Sequence, residues 1–493
     1  MTEQKEDILY TLIKSLTSSE KGYFKKFIKG FYSEENKEYL KLFEIYDKAN
    51  LYNEFQINKQ ITKFIGNKRI DIFKSYLYET ILKSLRAYNS NSNINIQIAE
   101  LLADVEILLK KGLFNLASKK LHIAEKLAIS YHKLKNLLII KEFEKKILLD
   151  SQNINQFKAT INKIHNDEFR TINQLKTFYE YNKLDSQTFL LNRIKPKARN
   201  NSEATNFSEI INSRFMMDIK LADSIPSKLL YHSIYVSYYY AINDSEKSLS
   251  ENSKIIELLD NNPELKKELH IKYIYTLHNQ IAIATKLKKF SIASKYLEML
   301  KSENSRNNRE KLKIAEFIFI LELNLLLKSE NLKSASEVVK KIESYLKNDS
   351  NKIQNNIIIY HLISLYYFEC QQYSNALKWV NNIINSSNND IRTDLYSFAK
   401  IFSIIIHYEL ENYEIIEHLL KSAKRHLEKN NHLYKIEEIL IQKFKLLVKT
   451  HNSVDLRKIF NDLSIKFNEL KNENQGSEEF HFYHNWINNK INN

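Results

Sequence analysis

The chain is 493 residues long, with a formal net charge of +15 and a pI of about 9.2, and that length exceeds the roughly 250–300 residues one compact core holds. Its 5 glycines and 3 prolines, against roughly 35 and 25 at average usage, exclude glycine-rich phosphate loops and leave little means of building hairpin-rich β or doubly wound folds. An aromatic content of 12% excludes disorder throughout, and the single cysteine, Cys370, excludes an intrachain disulfide, as suits a reducing compartment.

Long helices joined by Asn, Ser, Asp and Lys turns remain, so the expected fold is all-α. The N-terminus carries Glu3, Glu6 and Asp7 and no apolar core, unlike a secretory signal. Thr17-Ser18-Ser19-Glu20 is a capping box, with Thr17 as N-cap and Glu20 reaching back, and it starts a helix through Tyr23, Phe24, Phe27 and Ile28. Further helices are expected over residues 34–49 and 70–88, which together make residues 1–88 an N-terminal helical module. Within it, residues 60–65 and 70–77 flank Gly66-Asn67-Lys68-Arg69 in the manner of a helix-turn-helix. Lys68, Arg69 and Lys74 would attract phosphate, but Asp71 sits at the exposed start of the second helix and would repel it. The module therefore reads as a structural cap.

Asn89-Ser90-Asn91-Ser92-Asn93 separates this module from a region of repeats. The first clear copy is Lys111-Gly112-Leu113-Phe114-Asn115-Leu116-Ala117, with Leu121 and Ala124 completing an apolar stripe. A weaker copy centres on Phe157, with His165-Asn166-Asp167-Glu168 read as a polar helix end. Lys195-Pro196-Lys197-Ala198-Arg199-Asn200-Asn201-Ser202 interrupts the series, and another weak copy lies near Ser248, closed by Asn262-Pro263. Four segments then look alike, opening at Phe290, Leu332, Tyr373 and Tyr413. Each has a polar turn, a large apolar residue and a small or apolar residue three further on: Ala293, Ala335, Ala376 and Ile416. Their spacings of 42, 41 and 40 residues compare with ~34 for a minimal tetratricopeptide unit. A last copy near Val454 keeps the spacing and loses the small residue. The most apolar run, residues 357–368, contains His361 and is shorter than the ~20 residues a membrane span needs.

After a third polar break at residues 472–477, Phe480, Tyr483, His484 and Ile487 recur at helical spacing, with Trp486 beside them. This predicts a capping helix over residues 478–491. It is expected to pack on residues 433–471, against Leu456, Phe460 and Leu463, rather than to enter a groove, because terminal repeats need a cover and the connecting segment is short.

Gly112, Phe114 and Ala117 in one copy, and Tyr373, Ala376 and the helix before them in another, resemble the signature of the tetratricopeptide repeat family. The resemblance covers about residues 96–471, although most copies lack the glycine and run long. It implies a right-handed α-solenoid of antiparallel helical hairpins in units of roughly 40 residues, arranged as blocks over residues 95–194 and 206–472. The stretch 15–27 and the run 76–85 look like the opening of an uncharacterised bacterial family, which carries no function to transfer. In the tetratricopeptide family the first helix of each hairpin lines a groove. Alignment on the repeated motif places Tyr275, His278 and Asn279 there, then Phe317, Ile320 and Asn324, then Ile358, His361, Leu365 and Phe368, then Phe398, Ile401, Ile405 and Tyr408. The same residues would equally fill an ordinary core. Members that grip a C-terminal carboxylate use Lys, Arg and Asn at such sites, and the apolar C-terminal groove here does not fit that activity.

No catalytic constellation emerges. The glycines are isolated, Cys370 has no activating partner in its local sequence, and His481 and His484 lack a third fixed metal ligand. His407 and His418 fall on two helices of one hairpin, where packing explains them. The positive charge is mostly lysine, with few and scattered arginines, and reads as a solvated surface. The expectation is a cytoplasmic, non-catalytic protein–protein interaction scaffold with no cofactor, no metal and no membrane contact, whose partner is an unknown protein or peptide. The alternative is a nucleic-acid-binding protein or transcriptional regulator with a repeat-built sensor region.

Overall fold

The computed structural model describes residues 7–30, 35–49, 52–65, 70–90, 93–149, 154–194, 207–347, 356–386, 392–430, 432–471 and 478–492. Among them the secondary structure is helical, with no strand. The chain divides into two compact units, Met1–Leu175 and Lys176–Asn493.

In the first unit, α1 (Ile8–Ser15), α2 (Ser18–Gly30), α3 (Glu35–Lys48), α4 (Glu54–Ile65) and α5 (Ile70–Asn89) enclose one core. Ile13, Phe24, Phe43, Tyr46, Ile61 and Leu77 are buried in it. The capping box forms as its residues dictate: the Thr17 N–H donates to Glu20 Oε2 at 2.8 Å, and the Glu20 N–H donates to Thr17 Oγ1 at 3.2 Å. Asp7 caps α1 through the N–H groups of Leu9 and Tyr10 and also accepts from the Tyr46 and Tyr52 hydroxyls, with the Lys74 ammonium 3.4 Å away. The turn 66–69 of the helix-turn-helix expectation lies outside the described residues. α6 (Ile94–Lys110), α7 (Phe114–Ser130) and α8 (Leu134–Leu148) follow, packed in sequence around Ile98, Val105, Ala117, Leu121 and Ile140.

The copy expected around Phe157 is not a separate helix pair. Residues Ile154–Ile194 form one continuous helix, α9, and the division between the units falls inside it. The segment has no glycine or proline to stop it. Ile164, Thr171, Tyr181, Leu184 and Thr188 recur at helical spacing on a buried face. His165-Asn166-Asp167-Glu168 is therefore mid-helix, not a helix end. His165 Nδ1 lies 3.0 Å from Glu168 Oε2, one turn along. The break expected at 195–202 lies outside the described residues.

The second unit continues with α10 (Ile225–Ala241), α11 (Ser245–Asp260), α12 (His270–Lys286), α13 (Phe290–Ser302), α14 (Asn308–Lys328) and α15 (Leu332–Leu346). It ends with α16 (Asn356–Glu369), α17 (Tyr373–Ile384), α18 (Thr393–Glu409), α19 (Tyr413–Lys429), α20 (Lys435–Leu447), α21 (Ser453–Leu470) and α22 (Glu478–Asn492). Consecutive helices pack on one another, most extensively α10 on α11, α12 on α13 and α16 on α17.

The same turn joins α6–α7, α7–α8, α10–α11, α12–α13, α14–α15, α16–α17 and α18–α19. One residue takes the left-handed conformation: Gly112, His132, Asn243, Lys288, Glu330, Gln371 or Glu411, with φ between 53° and 71°. The next N–H then donates to the carbonyl five residues back, as from Leu113 to Leu108 at 2.9 Å, Asn331 to Leu326 at 2.9 Å and Gln372 to Tyr367 at 2.8 Å. This is a helix-ending cap that satisfies a carbonyl the first helix leaves open and reverses the chain in three residues. Three residues into the helices after the turn come Ala117, Ser248, Ala293, Ala335, Ala376 and Ile416, all with 0% exposure. At the four alanines a longer side chain would push two helices apart.

Candidate functional site

The expected groove residues form two environments. On α12 and α14, Tyr275 is 45% exposed and meets Phe317 edge-on, with ring centroids 5.2 Å apart. Asn279 is exposed, and the His278 ring lies 4.3 Å from Phe317 with Nδ1 3.4 Å from Asn279 Oδ1. Burial pushes the His278 pKa down, and nearby Lys313 adds to the effect. Lys313 sits 4.6 Å above the buried Phe317 ring and 3.5 Å from Glu316. Ile320 and Asn324 are half-buried further along α14. This part of the face is accessible, aromatic and lined with donors.

On α16 and α18 the surroundings differ. Ile358, His361 and Leu365 are half-buried, whereas Phe368, Phe398, Ile401, Ile405 and Tyr408 are buried. α22 packs on Phe368, Phe398 and Tyr408. Phe482 packs 5.4 Å from Phe368, 5.4 Å from Phe398 and 4.9 Å from Phe402, and Tyr483 stacks on Phe398 at 5.7 Å. Trp486 stacks on Phe444 of α20 at 5.6 Å with planes 9° apart, and meets Tyr408 and Phe460 edge-on. Phe480 stacks on Phe467 of α21 at 5.3 Å. The helix thus touches α21 and lies over the aromatic faces of α16, α18 and α20 at once. A choice between covering the last helix pair and entering the groove does not arise, because those faces adjoin. The segment 472–477 that leads to it lies outside the described residues.

The residue that sequence reasoning missed is Glu409, the last of α18. Its side chain is 7% exposed. Its carboxylate accepts from Trp486 Nε1 at 2.6 Å and from the Lys490 ammonium at 2.7 Å, and the Tyr373 hydroxyl also faces it. An acidic side chain directly after Ile404-Ile405-Ile406-His407-Tyr408 was the available signal, since a buried carboxylate requires donors from elsewhere in the fold.

Two other places are chemically quieter. A cleft of about 490 Å³ beside α10 and α11 is lined by Lys220, Asp223, Lys228, His232, Lys254 and Glu257. Part of this lining is already engaged: His232 lies 2.6 Å from Glu251, which also takes Lys254 at 2.7 Å. Cys370 is half-buried against the core shared by α14, α15 and α16. Among the described residues no group of three His, Cys, Asp or Glu side chains is placed to hold a metal ion, and no helix is long and apolar enough to cross a membrane.

No protein-family description, no characterised protein and no solved structure matches this chain at a significant level.

Proposed function

We propose that the chain is a non-catalytic protein-interaction scaffold of the cytoplasm, a right-handed stack of tetratricopeptide-like helical hairpins that grips helical segments of partner proteins. The observation that carries this reading is the seating of α22: an amphipathic helix fits across the aromatic faces of α16, α18 and α20 with its rings stacked on theirs. Helix-in-groove recognition uses this geometry, with anchors at i, i+3/i+4 and i+7. The recurring left-handed turn supports the repeat character, at intervals of 45, 42, 41 and 40 residues from Asn243 through Glu411. The accessible Tyr275 and Asn279 extend the same kind of face toward α12.

The test is affinity capture with the full-length chain, with and without nuclease, compared with a Tyr275→Ala/Asn279→Ala double variant. A stoichiometric protein partner that survives nuclease and is lost with the double variant supports the reading. Partners that vanish with nuclease would transfer the function to nucleic-acid binding.

A further inference from the structure

The residues of α22 meet their surroundings in two ways, and both bear on what else can occupy the same place. Phe480, Tyr483, Trp486 and Ile487 are buried, so the helix supplies a row of anchors to a prepared face. Trp486 and Lys490, one turn apart, converge on a single carboxylate, Glu409.

Glu409 sits at the C-terminal end of α18, where the helix dipole already disfavours negative charge. Nearly excluded from water there, it is held by one cation and one neutral donor. An apolar face alone would accept any greasy helix. A buried carboxylate at its end selects one that carries a positive charge at the matching position, because an unmatched helix would strand that charge.

α22 is also a poor helix by its own composition. From Phe480 to Asn489 the sequence is Phe, His, Phe, Tyr, His, Asn, Trp, Ile, Asn, Asn, with none of the strong helix formers. A helix of 15 residues is marginal in water even with favourable composition. Its helical state therefore depends on the seat, and leaving the seat means unfolding. A partner segment with the same anchors on stronger helix formers would compete at an advantage. Only six residues separate Lys471 from Glu478, and so short a tether holds α22 at an effective concentration of roughly millimolar. Weak or mismatched ligands are thereby excluded.

We infer that α22 is a displaceable resident of the aromatic face of α16, α18 and α20. The partner that replaces it presents an amphipathic helix with an aromatic donor and, four residues later, a lysine or arginine that pairs with Glu409. This deepens the scaffold reading and rests on it.

Hydrogen exchange of the full-length chain in low denaturant tests the first half. The α22 amides are expected to open alone, at least about 10-fold more often than those of α20 and α21, and Glu409→Gln is expected to raise that opening further. Opening of α22 only together with α20 and α21 would make it a fixed core helix and overturn the inference. For the second half, a labelled peptide of residues 478–492 is titrated into the full-length Trp486→Ala chain and into the parent. Binding to the variant at least about 10-fold tighter than to the parent is expected, with loss when the peptide's tryptophan or lysine becomes alanine. Binding to neither chain, equal binding to both, or collapse of the whole variant would each refute it, since a displaced helix must leave a folded face behind. Failure here leaves the capture that depends on Tyr275 and Asn279 intact. Absence of any nuclease-resistant partner on the parent chain while α22 still opens alone would instead defeat the scaffold reading.

Discussion

Replacing Glu330, Gln371 and Glu411 by glycine together should stabilise the second unit, although three side chains are deleted. Each occupies the left-handed position of its turn, with φ of 58°, 57° and 59°. In that conformation a Cβ crowds the carbonyl oxygen at a cost of about 1–2 kcal/mol. All three side chains point into solvent, so little contact is lost. Glycine restores freedom to the unfolded chain, which takes back about 0.4–1 kcal/mol per site. Glu330 and Glu411 lie two residues past helix C-termini, where removing a negative charge returns about 0.3 kcal/mol. The net expectation is about 3 kcal/mol for the triple variant. Urea unfolding followed by tryptophan fluorescence reports on this unit alone, since both tryptophans, Trp379 and Trp486, lie in it. The midpoint should rise by about 0.5–1 M. Gly112→Ala is the converse control: a Cβ there would meet nothing within 4 Å, so its cost is purely conformational, about 1 kcal/mol, read by exchange of the α6 and α7 amides. A triple variant with an unchanged or lowered midpoint, or a neutral Gly112→Ala, would show that these turns are not strained.

Ala376 has no exposed surface where α17 crosses its neighbours, and Ala376→Leu should cost about 1–3 kcal/mol by over-packing, seen as a lower urea midpoint at Trp379. Asn252 donates to the Thr276 carbonyl at 2.9 Å and to Gln280 Oε1 at 2.7 Å inside the α11–α12 contact; Asn252→Ala removes both bonds, strands Gln280 Oε1 and should cost about 1–3 kcal/mol in the same melt. Burial alone would push the Asp7 carboxyl up, but the Tyr10 N–H, the Lys74 ammonium and the Tyr52 and Tyr46 hydroxyls outweigh it and hold its pKa below the usual value. Its contribution is therefore present above about pH 4 and lost as the pH falls further. Asp7→Asn should lower the stability of the first unit at neutral pH and flatten its acid dependence, measured as urea-induced loss of helical circular dichroism between pH 3 and 7.

How much was legible follows from what each signal encodes. Helical character was written in the missing glycines and prolines and in apolar periodicity, both local properties. The capping box was legible because Thr17 and Glu20 satisfy each other within one turn. The copy around Phe157 misled because an apolar residue three or four positions from another fits a continuous helix as well as a new one, and only a breaker distinguishes them. α9 has none. Phe368, Phe398 and Tyr408 were recognisable as one aromatic face, but whether such a face is open depends on a segment about 80–110 residues further on, and periodicity carries no range that long. Glu409 was missed for the same reason, since its partners Trp486 and Lys490 lie 77 and 81 residues away.

The turns and the aromatic content belong to one argument. Among the described residues, six of the seven left-handed turn positions are filled by residues other than glycine. At a net of about 0.8 kcal/mol each, after the freedom glycine returns to the unfolded chain, they withhold roughly 5 kcal/mol that glycine would have supplied. The turns do not drive the reversal of the chain, so what lies behind them must. In most of these turns a large apolar residue follows two positions on, as with Phe290, Leu332, Tyr373 and Tyr413, and a small or fully buried one three further, as with Ala293, Ala335, Ala376 and Ile416. Close crossing brings rings within stacking distance, and each pair adds about 0.5–1.5 kcal/mol beyond its burial. The density of ring contacts is greatest at the C-terminal end, where Phe398, Phe402, Phe444 and Phe460 converge on α22. Stability there resides in side chains that a competing helix could equally provide, which is the physical condition for exchanging one occupant for another.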